Sequence, residues 1–181
     1  RSGAWVAECR GRMAFGGSRV RPVAYLVCNL LPPADGRPAL LTHDDVVTLF
    51  HEFGHGLHHM LTSVDYPSIA GINGVAWDAV ELPSQFLENF AWQPEVLQQL
   101  ASHWQSGAAL PAATQQQLIG TRSFHAGLAT LRQLEFALFD FRLHAEYGPA
   151  RGARVLETLN DVRSRIAVIQ PPDWNRFPHS F

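Results

Sequence analysis

The stretch Thr42–Leu61 reads THDDVVTLFHEFGHGLHHML, and it decides both the fold class and the chemistry of this chain. Thr42 stands three residues before Asp45, with acidic residues following at once, the pattern of a capping box at a helix start. Val46, Phe50, Phe53, Leu57 and Met60 then recur at steps of three and four, the stripe of an amphipathic helix. His51, His55 and His58 fall nearly opposite. The helix is therefore expected to bury its apolar side and to line a cleft with the other.

Inside that helix, His51-Glu52-Phe53-Gly54-His55 is an H-E-x-x-H motif. Histidines four apart project from one face about 6 Å apart along the axis, so both imidazoles can reach one ion at the Zn–N distance of about 2.0–2.1 Å. Glu52 lies about 100° round the helix from His51 and about 60° from His55. That is beside the ion, where a general base for a metal-activated water belongs. Gly54 costs about 1 kcal/mol of helix propensity, which points to close approach of another backbone. In a chain with nine histidines the motif arises by chance in about one or two of a hundred sequences, so it needs support from elsewhere.

The support required is a third ligand, because a catalytic zinc takes three protein ligands and keeps an open position. The longer motif with a third histidine fails, since Leu61 stands where that histidine would be. His58 shares the face but lies a turn or more along the axis. The next segment, WDAVELPSQFLENF, puts Asp78, Glu81, Gln85 and Glu88 on one face and Phe86, Leu87 and Phe90 on the other. A helix from Ala79 to Trp92, packed antiparallel on the first, turns those carboxylates toward the histidines. Glu81 is central to the acidic stripe, Asp78 is placed to cap the helix, and Glu88 is placed to orient a ligand imidazole. His58 stays open as an alternative ligand, and a solvated acidic face is the plain alternative to the whole arrangement. Pro83 is awkward inside such a helix.

Around this centre, residues 1–41 carry the strand signals. VRPVAYLVCNLL is a short apolar run, preceded by FGGS as a turn and followed by LPPADGRP as a breaker, which reads as a β-hairpin or small sheet. From residue 42 to 181 the chain reads as helical, with a helix at PEVLQQLASHWQSG, a long one over 111–147 broken near Gly120 or Gly127, and another over 150–169. The fold class is mainly α with a small β element at the front. With 46% hydrophobic and 17% charged residues the composition is globular. A formal charge of −2 and the lack of a basic run argue against nucleic acid as a partner. No apolar run reaches the roughly 18–20 residues of a membrane span, and RSGAWVAECRGR lacks the apolar core of a signal peptide. Cys9 and Cys28 are expected to be buried free thiols in a reducing cytoplasm. His43, His103, His125 and His144 read as surface or satisfied histidines, with His179 a little closer to a site role.

The residues HEFGHGLHHMLTSVDYPSIAGINGVAWDAVELPSQFLENFAW, together with PVAYLVCNLLPP, THDDVVTLF and LRQLEFALFDFRLHAEY, resemble the catalytic core of the thimet-oligopeptidase-type zinc metallopeptidases, and the resemblance covers essentially the whole chain. It implies a helical, zincin-like core. It also implies one zinc per chain held by His51, His55 and Glu81, with Glu52 activating the water. His58 becomes part of an extended H-E-F-G-H-x-x-H pattern. Peptides in that family add to a sheet edge, which makes Pro22–Asn29 the strand to suspect for substrate. Family members are several times longer, so residues 1–181 are expected to be part of a catalytic domain. The preceding helical region and a following Gly- and Tyr-rich loop would be missing. Tyr25, Tyr66 and Tyr147 do not match the transition-state residues that the resemblance places in that loop, beyond Phe181.

The leading expectation is a cytoplasmic zinc endopeptidase that hydrolyses short oligopeptides through a metal-activated water. The alternative is a non-catalytic helical piece with a structural or vestigial metal site. A zinc hydrolase acting on something other than peptides is a third reading that the motif alone permits. Neither cleavage preference nor oligomeric state is readable.

Overall fold

The computed structural model describes residues 3–179 and divides between Gln116 and Gln117 into two compact units. The fold is mainly α, with small antiparallel sheets near the front of the chain. No helix among the described residues is long and apolar enough to cross a membrane.

The first unit opens with four short strands, β1 (Trp5–Arg10), β2 (Met13–Phe15), β3 (Ser18–Val20) and β4 (Val23–Val27). β2 and β3 form a hairpin turning through Gly16 and Gly17, whose φ values of 57° and 82° are those of a two-residue primed turn. β4 is the expected apolar strand, confined to five residues. Its partner is β1, antiparallel, with Trp5 opposite Val27, Arg10 opposite Val23, and a bulge between Glu8 and Arg10. Among the described residues no strand pairs with the other edge of β4. Both cysteines are free, but Cys9 is exposed rather than buried: it lies at the bulge, where its Sγ donates to the Tyr25 hydroxyl at 3.3 Å.

Helix α1 (His43–Leu61) begins as its sequence demands. Thr42 Oγ1 accepts from the Asp45 backbone N–H at 3.2 Å, and Asp45 Oδ2 accepts from the Thr42 N–H at 2.8 Å, closing the capping box. The orientation of the helix corrects the sequence expectation. Its buried residues are Glu52, Gly54, Gly56 and His59, whereas Phe53 and Met60 of the apolar stripe are 41% and 39% exposed. The physical reason is that α1 meets its neighbours through residues without side chains. A Cβ on Gly54 would stand 2.6 Å from the carbonyl oxygen of Pro83 and 2.6 Å from the Cα of Ser84. One on Gly56 would stand 3.1 Å from Leu26 of β4. Backbone-to-backbone approach outweighs the larger apolar side chains in fixing which way the helix faces.

After two 3-10 turns, Pro67–Ile69 and Gly71–Gly74, comes α2 (Leu82–Glu88), continued by a 3-10 turn at Asn89–Trp92. The sequence pattern placed its start at Ala79. Pro83 explains the delay, because proline is tolerated only in the first turn of a helix, where its missing N–H has no intrahelical duty. α3 (Pro94–Leu100) starts at a proline as expected and stops well before Gly107. α4 (Ala112–Thr121) straddles the division between the units.

In the second unit, α5 (Ala126–Ala145) packs on α6 (Val155–Ile166). The break in the long helical stretch falls between the two glycines proposed for it, at His125, whose φ of 55° is left-handed. Phe139, Leu159 and Val162 are buried there, beside a buried ion pair in which Arg163 Nε donates to Glu135 Oε1 at 2.8 Å. Arg132 and Asn175 complete it, at 2.7 Å from Glu135 and 3.0 Å from Arg163, so its remaining polar positions have partners.

Gly54→Ala is expected to force α2 away from α1 and to cost about 1–3 kcal/mol of stability, as overpacking does. Thermal unfolding of the variant beside Phe53→Ala, whose side chain is largely exposed, checks this; the glycine variant should melt lower.

Candidate metal centre

The contact at Gly54 sets the chemistry. Because the first turn of α2 lies directly on α1, Glu81 at its start and Glu88 at its end both reach back to the histidine face. His51 Nε2 lies 3.2 Å and His55 Nε2 3.1 Å from the same oxygen, Glu81 Oε2. One ligand atom from each of these three residues lies within 4.8 Å of the others. Four donors held tetrahedrally at about 2.0–2.1 Å from one ion would be roughly 3.3 Å apart, and the two distances to Glu81 match that spacing. The donor set, two imidazoles and a carboxylate, suits zinc as well.

Electrostatics favour the same reading. His51 Nδ1 is 2.7 Å from Glu88 Oε1 while its Nε2 faces Glu81, so carboxylates stand at both nitrogens of one ring. A neutral imidazole donates from one nitrogen only; with its proton on Nδ1 toward Glu88, the Nε2 lone pair points at an anionic oxygen. Either a second proton on the ring or a cation between Nε2 and Glu81 would remove that conflict, and with a cation there Glu88 would orient the ring. Glu81 is held in turn by Ser84, a fully buried hydroxyl 2.9 Å from the Glu81 carbonyl and 2.8 Å from its Oε2. Despite the burial around it, Glu81 is kept below the usual carboxylate range by the Ser84 hydroxyl and by His55 and His51.

Glu52 is different. Only 5% exposed, it has a buried Oε2 with no hydrogen-bond partner. Burial pushes its pKa up, His51 and His55 pull it back, and Glu81 pushes it up again. A carboxylate poised upward beside two imidazoles is what a general base needs.

The structure brings together His51, His55 and Glu81, with Glu52 beside them and Glu88 on His51. His58 stays out of the three-residue group; its Nδ1 is buried without a partner, and burial, with His55 and His59 nearby, lowers its pKa. Asp78 is exposed, in the turn before α2, and does not cap it: the residue at the cap position is Glu81, without a side-chain cap bond. Of Pro22–Asn29, only Val23–Val27 is strand. His43 bonds the Ala91 carbonyl at 3.0 Å, and His103, His125, His144 and His179 do not join the group.

One residue escaped the sequence pattern. Ser84 was hidden because a serine one residue after a proline reads as a plain helix start; its spacing of three from Glu81 was the available signal. Cys28, expected to be a buried free thiol, is free but only partly buried, and burial together with the charge of Glu52 raises its pKa.

Comparison with known proteins bears on what such a centre is for. The model of peptidase family M3 matches residues 1–181. Oligopeptidase A of Salmonella typhimurium is 53% identical over 182 residues, all of this chain and 27% of that protein. Oligopeptidase A of Escherichia coli has the same identity and coverage. A probable cytosolic oligopeptidase A of Arabidopsis thaliana is 45% identical over 185 residues, again all of this chain and 26% of the relative. The chain thus spans about 27% of the length of the bacterial relatives.

The buried, unpartnered Glu52 carries a stability cost of known sign. Its folded-state pKa is raised, so the folded chain holds the proton more tightly than the unfolded one and loses stability as pH rises through that pKa. With metal chelated, Glu52→Gln is expected to melt a few degrees above the parent at pH 7–8, the gap closing toward pH 4. Thermal unfolding across that pH range checks it.

Proposed function

The chain belongs to peptidase family M3, and from that premise we propose that it is the bond-cleaving core of a zinc endopeptidase acting on short peptides in the cytoplasm. The observation that carries the proposal is the convergence of His51 Nε2 and His55 Nε2 on one oxygen, Glu81 Oε2, at 3.2 and 3.1 Å, with a ligand atom of each residue within 4.8 Å of the others. A structural zinc has four protein ligands; three favour a catalytic one over the structural alternative.

His51, His55 and Glu81 would hold one zinc per chain. Zinc bound there supplies Lewis acidity, polarising the scissile carbonyl and lowering the pKa of water in the open position. The remaining work belongs to the chain. Glu52 accepts the proton of the attacking water and hands it to the departing amine, which its raised pKa and lack of competing hydrogen bonds suit. Glu88 keeps the His51 ring in the ligating orientation, and Ser84 keeps the Glu81 carboxylate turned inward. The unpaired edge of β4 offers its backbone N–H and C=O groups to an extended peptide. Residues 1–181 form part of a catalytic domain in this reading, with the rest of the relatives' length supplying the transition-state donors and the restriction to short peptides.

Metal analysis is expected to find one zinc per chain, lost with chelator and lost from Glu81→Gln. Glu52→Gln, placed in the intact peptidase, is expected to retain zinc while turnover of a quenched peptide falls by about 10²–10⁴. Parental turnover in that variant would remove Glu52 from the base role, and a chain that takes up no metal would remove the zinc.

A further inference from the structure

Beside the β2–β3 hairpin and the last turns of α1 opens a cavity of about 640 Å³, lined by Arg12, Arg19, Val20, Arg21, Pro22 and Met60. Three of its six lining residues are arginines, and none is acidic. Arg12 is engaged by Asp65, with Nε 2.6 Å from Oδ1. Arg19 and Arg21 are alternate residues, so in extended chain their side chains fall on one side. Both are exposed, and neither side chain has a hydrogen bond or ion pair among the described residues. Cations near the end of a helix can simply complement its C-terminal carbonyls. These two do not bond to them, so that role leaves them unexplained.

The position of the cavity gives it a meaning. β4 runs alongside α1, from Val23, whose partner Arg10 offers its carbonyl to His59 Nε2 at 3.0 Å, to Leu26, whose side chain lies against Gly56, next to His55. The strand thus leads from Pro22, in the wall of the arginine cavity, toward the turn of α1 that carries the candidate base. The five residues of β4 span roughly 13 Å. A peptide paired along its free edge would reach the cavity about four or five residues from the bond being cleaved.

We propose that this cavity is a subsite for a peptide carboxylate, either the chain's terminal carboxylate or an acidic side chain, read by Arg19 and Arg21. A guanidinium pair matches a carboxylate by paired N–H donors, and the cavity has no acid of its own to compete. The proposal rests on the peptidase reading above, since it is the peptide along β4 that connects the cavity to the zinc ligands.

Two probes separate the cavity from that reading. The first is N-acetylglutamate, with N-acetylglutamine as control, titrated while the arginine Nε–H signals are followed by NMR. A saturable shift of Arg19 and Arg21 with the acid alone supports the subsite; no saturable shift overturns it. The second is a set of fluorescent peptides binding the zinc-loaded Glu52→Gln chain. In that set a Glu near either end is exchanged for Gln, and the C-terminus is free or amidated. Carboxylate-bearing peptides are expected to bind about five- to tenfold tighter. The preference should vanish in the R19Q/R21Q double variant while neutral peptides bind as before, an unchanged melting curve showing that the fold is intact. The pair of peptides that loses the preference identifies the carboxylate's source. Peptides that bind equally whatever their charge overturn the proposal. If no peptide binds, it is the peptidase reading that fails, and the N-acetylglutamate result alone decides the cavity.

Discussion

The close approach of α2 to α1 over Gly54 is the constraint on which the centre depends. The backbone of Pro83 and Ser84 occupies the space a side chain would fill at position 54. Helix α2 is only seven residues long and could not hold this position by its own propensity. It is fixed instead by packing, and its two ends deliver Glu81 and Glu88 to opposite nitrogens of His51. A larger residue at position 54 would leave His51, His55 and Glu81 chemically intact and still dissolve the arrangement, because a carboxylate an ångström farther away no longer meets both imidazoles.

The same packing concentrates negative charge. Glu52, Glu81 and Glu88 stand around two imidazoles in a partly buried region, and only some of that charge is answered within the chain. Ser84 answers part of it for Glu81; nothing among the described residues answers it for Glu52 Oε2. A group left in that condition is costly to fold around. It is kept at sites where reactivity matters more than stability, and the second unit shows the contrast. There Glu135 is as buried as Glu52, yet it is fully satisfied by Arg163 and Arg132.

Local chemistry was legible in the sequence, and tertiary placement was less so. Thr42 and Asp45 announced the start of α1, the paired glycines announced the hairpin, and the H-E-x-x-H spacing put two imidazoles on one face. Glu81 was singled out because it lies mid-stripe, and Gly54 because it is costly in a helix. The side of α1 that is buried was misread, because periodicity weighs side chains and the decisive contacts are made at Gly54 and Gly56, which have none. The start of α2 was misplaced by three residues because the acidic stripe continues through a turn, and only the confinement of Pro83 to a helix's first turn marks where that turn ends. Ser84 left only its spacing of three from Glu81 as a signal, and the cavity at Arg19 and Arg21 depends on contact with Met60 of α1, which no pattern along the chain encodes.

The two bonds of Ser84 reach Glu81 from within the same helical turn, one to its main chain and one to its carboxylate. The entropy of freezing that side chain is therefore spent while the protein folds. An ion arriving there, as the proposed function requires, would not have to wait for a rotamer search. Its rate of capture would then be governed by how quickly it sheds its own hydration water, a property of the ion rather than of the polypeptide.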